Sequence, residues 1–316
     1  MRFGAAFWTN RTDWPALRDA SLLAEGAGWD SIWIDDHLLA DEGDPTHPKL
    51  EGWAVLASIA AVTERVRLGL LVAANTFRNP GHTAKIATTV DHVSGGRLVL
   101  GLGGGWFERE HDAFGIDFGA GFGERLDRLD ESVELVRRLL DGERVTHVGR
   151  FYTMHDAIST PRPIQHRLPI LIGGSGPTKT LRTTARFADL WNGYGRPDRI
   201  AATSEILRAR CLEIGRPFEA IERTVTLDAV LRDTSAQARS VWAETVRAHG
   251  LAGRIGPDGT DRGLTVGGPV DEIASYVAEL RALGISEAVF IFRAPFDLET
   301  IGRIGEVRAA LASIRG

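Results

Sequence analysis

Residues 169–178 have the sequence PILIGGSGPT, in which a short apolar run passes through glycines toward the start of a helix. The apolar run at 170–172 predicts a buried strand. Pro177 favours the first turn of a helix, because proline lacks the N–H that would stay unpaired there. Between them, Gly174, Ser175 and Gly176 leave backbone N–H groups uncovered at the positive end of the helix dipole. The stretch therefore predicts a strand, a phosphate-binding loop and a helix in succession.

The composition of the chain favours a soluble protein that does not bind nucleic acid. Its 316 residues are 43% apolar, which is enough for a substantial core, and the formal net charge is −5. Nucleic acid is bound through clustered Lys and Arg, and a membrane span needs about 20 apolar residues. The chain has neither pattern and no signal peptide before its first strand, so we expect a cytoplasmic protein. Cys211 is the only cysteine, which excludes an internal disulfide.

Strand and helix patterns alternate along the chain eight times. The predicted strands cover residues 3–8, 31–35, 66–72, 97–102, 170–172, 190–192, 224–231 and 288–292. They lack the apolar–polar alternation of a half-exposed sheet, which is typical of parallel strands that are covered on both faces. We therefore predict one α/β domain over residues 1–316, a single (β/α)8 TIM barrel.

Two longer segments are predicted as insertions, after strands 4 and 7 of this barrel. The first contains an amphipathic helix over 123–140 and a small hairpin over 145–152. The second contains a helix over 235–249 and a glycine-rich loop over 250–268. A doubly wound sheet is the rival architecture, but its dinucleotide fingerprint fails because Trp106 stands where the third glycine would be.

In a barrel of this kind the active site lies at the carboxyl ends of the strands, so the residues that follow each apolar run are the candidates. Asp36 and His37 follow the second strand. Asp36 can orient the imidazole, and His37 can donate a hydrogen bond or move a proton. The alternative is a capped loop with a solvated histidine. The nine histidines are scattered and form no HExxH motif, which argues against a metal site.

Two more strands end in groups that suit a ligand. After the third strand, Asn75 and Thr76 bring polar side chains, and Arg78 is expected in a surface salt bridge. After the fourth strand, the glycines at 103–105 permit close backbone approach to a ligand. Trp106 follows them, either as an aromatic platform in the site or as part of a subunit interface.

Six segments of the chain resemble the bacterial luciferase-like superfamily, and within it the branch that uses coenzyme F420, an 8-hydroxy-5-deazaflavin. They are DH at 36–37, LEGW at 50–53, NTFRNP at 75–80, SGGR at 94–97, GGGWFE at 103–108 and IGGSG at 172–176. Their occurrence together, in the right order, carries the resemblance. It extends in register from the N-terminus through Asn192 and is weaker at 266–269.

The resemblance implies a deazaflavin that lies across the top of the barrel, with its phosphate on the backbone of the loop at 174–176. It also implies a non-prolyl cis peptide bond between residues 71 and 72, behind the ring system. Members that act on a sugar phosphate carry a glutamate proton donor where this chain has a tryptophan, so glucose 6-phosphate is not the expected substrate. The site residues that follow are His37 as the catalytic residue, no metal ligand, and, for cofactor binding, Asp36, His37, Leu71, Val72, Asn75, Gly105, Trp106, Gly174, Ser175 and Gly176.

The function that the resemblance implies is an oxidoreductase that transfers a hydride between coenzyme F420 and a small organic substrate. Three alternatives stay open. They are an FMN-dependent luciferase-like monooxygenase, a non-catalytic barrel that binds a deazaflavin or another phosphate ligand, and a barrel enzyme that acts on a sugar phosphate without a redox cofactor. The expected partners are a small-molecule substrate and a second copy of the chain in a homodimer, with neither nucleic acid nor a membrane.

Overall fold

The computed structural model describes residues 1–251 and 265–314. The strands are β1 Arg2–Phe7, β2 Ser31–Ile34, β3 Arg67–Leu70, β4 Ala73–Ala74, β5 Leu98–Gly103, β6 Val145–Val148, β7 Thr153–Ala157, β8 Ile170–Gly173, β9 Leu190–Tyr194, β10 Glu222–Leu227, β11 Ala229–Leu231, β12 Val266–Gly268 and β13 Glu287–Phe292. The α-helices are α1 Trp14–Ala27, α2 Gly52–Val62, α3 Pro80–Val93, α4 Glu108–Phe114, α5 Phe122–Leu140, α6 Thr180–Phe187, α7 Pro197–Glu213, α8 Ser235–His249, α9 Val270–Ala282, α10 Leu298–Gly302 and α11 Ile304–Ser313. Most of the predicted glycine-rich loop over 250–268 lies outside the described residues.

Eight of the strands close a barrel. In order around it they are β3, β2, β1, β13, β10, β9, β8 and β5, and each neighbouring pair is parallel. The ring closes because β5 also pairs with β3, with Leu98 opposite Leu68. Helices connect successive strands, so the prediction of a (β/α)8 barrel is confirmed.

Two of the predicted strands are interrupted in the structure. The third ends at Leu70, and the bond between Leu71 and Val72 is cis, as the resemblance implied. The two-residue strand β4 then continues beside β5. The seventh is divided at Asp228, because β10 pairs inside the barrel whereas β11 pairs with β12 outside it. The first break lies within a continuous apolar run that gives no sign of it, whereas the second falls at the one charged residue of its predicted strand, Asp228.

The predicted helix over 123–140 is confirmed as α5, and the hairpin after it is confirmed and extends to Ala157. Helix α6 begins at Thr180 rather than at Pro177, since residues 177–179 form a turn. The sequence pattern does not predict α4, whose seven residues are mostly polar. Within the two described ranges, no helix has the length and hydropathy that crossing a membrane requires.

Trp33 fills the interior of the barrel. Its side chain is buried and packs with Val99 and Val289 from other strands. The ring leaves no room for a side chain at Gly69, where a Cβ would lie 2.5 Å from it. The indole N–H donates to the buried carboxylate of Glu287 over 3.1 Å, so the polar edge of the ring has a partner.

Two charged side chains hold the turn that leads into β3. The carboxylate of Glu25 accepts the three successive backbone N–H groups of residues 64–66, at 2.9, 2.7 and 3.1 Å. The guanidinium of Arg97, in the SGGR segment, donates to three carbonyl oxygens of the same turn and of the end of α2, at 2.8, 2.8 and 3.0 Å. One side chain therefore satisfies the donors of the turn and the other satisfies its acceptors.

Glu25→Gln is expected to lower the free energy of unfolding by about 2 kcal/mol at neutral pH, because it removes charge-assisted hydrogen bonds to a buried turn. Burial raises the pKa of Glu25, but the backbone N–H groups of residues 64–66 lower it more, and the net pKa lies below its ordinary value. The stabilisation by Glu25 is therefore fully present above the pKa that Glu25 has in the unfolded chain. It is lost as the pH falls through the lower pKa that Glu25 has in the folded protein. Urea denaturation at several pH values measures it.

The matched control is Glu64→Gln, since the Glu64 side chain is exposed and the residue donates its backbone N–H to Glu25. It is expected to change the free energy of unfolding by less than about 0.5 kcal/mol. Equal effects of the two substitutions, or a difference between them that grows as the pH falls, would contradict this account of Glu25.

Candidate active site at the carboxyl ends of the barrel strands

The carboxyl ends of the barrel strands surround a cavity of about 820 Å³. Asn75, one of the ten predicted site residues, does not line it, because its side chain is buried and its amide donates to the hydroxyl of Tyr152 over 3.1 Å. The other nine do, and they come from the segments that follow β2, β3, β5 and β8: Asp36, His37, Leu71, Val72, Gly105, Trp106, Gly174, Ser175 and Gly176.

Leu71 and Val72 form an apolar wall of the cavity. A Cβ at Gly103 would lie 2.5 Å from Val72 Cγ2, and a Cβ at Gly173 would lie 2.9 Å from Val72 Cγ1. Both distances are shorter than normal contacts, so only glycine fits at these two positions while Val72 occupies the space. The glycines at the ends of β5 and β8 therefore place the apolar wall.

Residues 174–176, which we call the glycine loop, lie between β8 and the turn before α6. Gly174 has a φ of 118°, which L side chains rarely adopt, and its N–H donates to the carbonyl of Asn192 over 3.1 Å. Gly176 lies against Thr180, where an added Cβ would be 2.8 Å from the Thr180 hydroxyl. No side chain of the described residues caps α6. Because Asn192 already accepts the Gly174 N–H, the N–H groups that the loop offers to an anion are those of Ser175 and Gly176, together with the start of α6.

Lys179 stands next to the glycine loop in sequence, but its side chain contacts α5 instead. Its ammonium donates to the carbonyl of Gly123 over 2.9 Å and pairs with Asp127 at 2.6 Å. These contacts join α5 to the turn before α6. The attraction that the glycine loop offers an anion therefore comes from the backbone.

Both ring nitrogens of His37 face carboxylates. Nδ1 lies 2.9 Å from Glu110 Oε1, and Nε2 lies 3.8 Å from Asp41 Oδ2. The second oxygen of Glu110 accepts the N–H of Leu38 over 2.8 Å, which holds this carboxylate against the segment after β2. The prediction that Asp36 orients the imidazole is therefore wrong, because Glu110 from α4 occupies that position.

Asp36 instead forms an ion pair with Arg78. Its carboxylate accepts two guanidinium N–H groups, over 2.7 and 3.0 Å, and the N–H of Ala74 over 2.9 Å. Burial raises the pKa of Asp36, and these hydrogen bonds oppose the rise. The prediction that Arg78 forms a salt bridge is confirmed, but its pair with Asp36 is not at the surface, because the two side chains are 12% and 0% exposed. Arg78 pairs with Glu51 as well, at 2.6 Å, so the cluster joins three segments.

A buried lysine completes the charged surroundings of His37. Lys49 is 3% exposed, and its ammonium pairs with Asp35 and lies 3.7 Å from Asp41. Neither Lys49 nor Glu110 belongs to a regular hydrophobic pattern or a recognised motif, so the sequence does not single them out as site residues. The one available signal is that Glu110 lies three residues beyond the GGGWF segment.

These charges govern the protonation of His37. Burial lowers the pKa of His37, but the hydrogen bond with Glu110 and the charges of Asp41, Asp35 and Glu110 raise it more, so the net pKa lies above the ordinary value of 6.5. Burial raises the pKa of Asp41, but the charges of His37 and Lys49 lower it more, so its net pKa lies below the ordinary value. The imidazolium and the carboxylate thus stabilise each other.

Arg293 is the only Lys or Arg among the described residues that line the cavity. Its guanidinium is 2% exposed, donates to both oxygens of Glu42 over 2.7 and 3.0 Å, and pairs with Asp228. Asp228 also accepts the hydroxyl of Tyr194 over 3.0 Å. Two carboxylates therefore hold this guanidinium.

The cavity combines three chemical elements. The apolar wall suits one face of a planar ring, the glycine loop suits a phosphate, and His37 suits proton transfer. Such a site fits a ligand that contains both a planar ring and a phosphate, together with a reaction that needs a proton.

Comparison with known proteins gives matches at the level of sequence and of fold. Over 211 residues, which are 66% of this chain and 61% of the relative, the chain is 37% identical to an F420-dependent glucose-6-phosphate dehydrogenase of Microbacterium testaceum. The coenzyme F420 dependent tetrahydromethanopterin reductase from Methanopyrus kandleri superimposes with a TM-score of 0.80 at 20% identity, over 98% of this chain and 99% of that one. An F420-dependent secondary alcohol dehydrogenase in complex with an F420–acetone adduct gives a TM-score of 0.83 at 18% identity, with the same coverage.

The two structural neighbours are distant in sequence, and their likeness shows the barrel fold alone. The aligned region is less than two thirds of the length of the Microbacterium dehydrogenase. The sequence profile of the luciferase-like monooxygenase family matches residues 1–287, a range that contains the apolar wall, the glycine loop and His37. The chain therefore belongs to the luciferase-like monooxygenase family.

Proposed function

We propose that this protein binds coenzyme F420 and transfers a hydride between the deazaflavin and a small organic substrate. The observation that carries the proposal is that one cavity contains the apolar wall, the glycine loop and His37. The relative from Microbacterium testaceum and the two structural neighbours, which are all F420-dependent by name, support the choice of cofactor.

The residues of the cavity fit the parts of this cofactor. The backbone of the glycine loop would hold its phosphate, and Val72, which the neighbouring strands hold tightly, would back its ring. When bound, the deazaflavin supplies or accepts the hydride. The protein supplies the positions of the reactants, and His37 exchanges a proton with the substrate.

The charges of the cavity disfavour a phosphorylated substrate. Arg293 is the one Lys or Arg in the described lining, and Glu42 and Asp228 already hold its guanidinium. The resemblance also implies that members acting on a sugar phosphate carry a glutamate at the position of Trp106. We therefore infer that the chain does not act on glucose 6-phosphate, although a relative named for that activity is 37% identical over part of its length.

The apolar side chains in the cavity lining indicate which kind of substrate to expect in place of glucose 6-phosphate. Six large apolar side chains line the cavity in addition to the apolar wall: Trp8, Trp106, Phe122, Leu126, Leu251 and Ile291. Burial of apolar surface against such side chains favours an uncharged organic molecule. We infer a small alcohol or carbonyl compound with an apolar body, whose oxygen contacts His37.

The purified protein is expected to bind coenzyme F420 at least about tenfold more tightly than FMN, a difference of about 1.4 kcal/mol in binding free energy. Equilibrium titration followed by absorbance and fluorescence measures both affinities. Tight binding of FMN without binding of coenzyme F420 would contradict the proposal and would favour the FMN-dependent monooxygenase.

Gly174→Val is expected to weaken binding of coenzyme F420 far more than Lys179→Met. The valine adds a branched side chain at a φ of 118° and blocks the backbone of the glycine loop, whereas Lys179 is directed to Asp127. Titration of both variants, with thermal unfolding as the check on folding, makes the comparison. Equal losses of affinity would show that Lys179 contacts the phosphate. Intact affinity in a folded Gly174→Val protein would show that the loop is only a turn.

His37→Ala is expected to lower turnover by a factor on the order of 10²–10⁴ if the imidazole transfers a proton. His37→Asn keeps a hydrogen-bond donor without a titratable group, so it should retain cofactor binding while turnover falls. His155→Asn is the matched control, because His155 is exposed on the β6–β7 hairpin. Assays of small alcohols and carbonyl compounds, beside cofactor titration, measure the effects. Parent-like turnover in both His37 variants would contradict the assigned role.

A further inference from the structure

The carboxylates on either side of His37 are themselves fixed. Glu110 is buried, and the oxygen that does not face the ring accepts the N–H of Leu38. The oxygen of Asp41 that does not face the ring accepts the amide N–H of Asn10 over 2.8 Å. A neutral imidazole has one N–H and one lone pair. If His37 were neutral, the lone pair would therefore face a fixed carboxylate oxygen on either nitrogen, that of Glu110 at Nδ1 or that of Asp41 at Nε2.

The other groups around the ring do not offset these two carboxylates. The ammonium of Lys49 pairs with Asp35 and lies 3.7 Å from Asp41, which favours the ionised form of Asp41. Among the described residues, Asp36 is next to His37 in sequence and is paired with Arg78, and the uncharged rings of Trp106 and Phe107 have centroids 5.4 and 6.0 Å from that of His37. The surroundings of His37 therefore favour a positive charge on the ring.

We propose that His37 is an imidazolium in the resting protein, that Glu110 and Asp41 are positioning residues that maintain this charge, and that the site starts its reaction by giving a proton from Nε2. At neutral pH the resting protein then has the protonation state from which a carbonyl is reduced to an alcohol. This inference rests on the proposed function and adds to it the direction of the reaction and the class of substrate.

The atoms and electrons balance in this direction. The π bond of the carbonyl breaks, one C–H bond and one O–H bond form, and the carbonyl compound is reduced. When bound, the reduced deazaflavin would supply the hydride, and Nε2 of His37 supplies the proton. Solvent then returns a proton to His37, and oxidation of the deazaflavin would return one to solvent, so no proton is gained or lost overall. Alcohol oxidation would instead need a neutral His37 as the proton acceptor.

The charge on His37 can be measured without cofactor or substrate. Long-range ¹H–¹⁵N spectra of the protein with ¹⁵N-labelled histidine, recorded between about pH 5 and 9, give the protonation state of each ring, and His37→Asn identifies the signals. At neutral pH we expect both nitrogens of His37 to have imidazolium shifts, and its titration to fall above the ordinary value of 6.5. A neutral tautomer at neutral pH would overturn the proposal.

Removing the charge of Asp41 or of Glu110 tests whether these two carboxylates cause the positive charge on His37. Asp41→Asn and Glu110→Gln are each expected to lower the pKa of His37 by about one unit. The matched controls are Asp44→Asn and Glu108→Gln, exposed positions in the same loop and the same helix, which should leave it unchanged. A pKa that neither site variant lowers would overturn the proposal. If Glu110→Gln does not fold, the comparison of Asp41→Asn with Asp44→Asn decides.

The pH dependence of the loaded enzyme gives a second readout. Because the protonated form of His37 is the reactive one, the rate of carbonyl reduction is expected to fall as the pH rises through the raised pKa of His37. Asp41→Asn should move this fall to lower pH. A rate that rises with pH over the same range would overturn the proposal. The spectra need no cofactor, so they show whether the charge assigned to His37 is wrong. Titration with coenzyme F420 shows separately whether the choice of cofactor is wrong.

Discussion

The close packing of Val72 against the ends of β5 and β8 is the constraint on which the cavity depends. A side chain at Gly103 or Gly173 would lie within 3 Å of the Val72 methyl groups, so both strands must end in glycine. The same glycines continue into the segments that line the cavity, the GGG run after β5 and the glycine loop after β8. One packing requirement thus places the apolar wall and the backbone of the glycine loop in the same cavity.

Buried ion pairs hold the segments around this cavity in one arrangement. Asp36 with Arg78 connects the segment after β2 to the one after β4, and Arg293 with Glu42 and Asp228 connects the segments after β13, β2 and β10. Burying such charges is costly unless each is paired. Removing one partner would therefore lower the free energy of unfolding by more than the net stabilisation that the pair contributes. They connect the loops around the cavity that His37 and the glycine loop line.

The sequence predicts the fold well because the barrel follows from short-range patterns, namely continuous apolar runs that alternate with amphipathic segments. It brings nine of the ten predicted site residues to one cavity because they belong to contiguous segments that follow the barrel strands. It does not predict the partner of His37, since Glu110 lies 73 residues away and is brought in by α4, a helix too short and polar to be recognised. Adjacency in sequence suggested Asp36, but the two neighbouring side chains have different partners, Arg78 and Glu110. Pro177 suits a turn as well as a helix start, and here it lies in a turn.

The central claim is that the apolar wall and the glycine loop together hold a deazaflavin. A crystal structure of the protein with coenzyme F420 tests it most directly. The account predicts phosphate oxygens within about 3 Å of backbone N–H groups in residues 174–176 and the ring system packed on Val72. A phosphate bound instead by basic side chains away from the glycine loop, or a ring system that does not contact Val72, would contradict it.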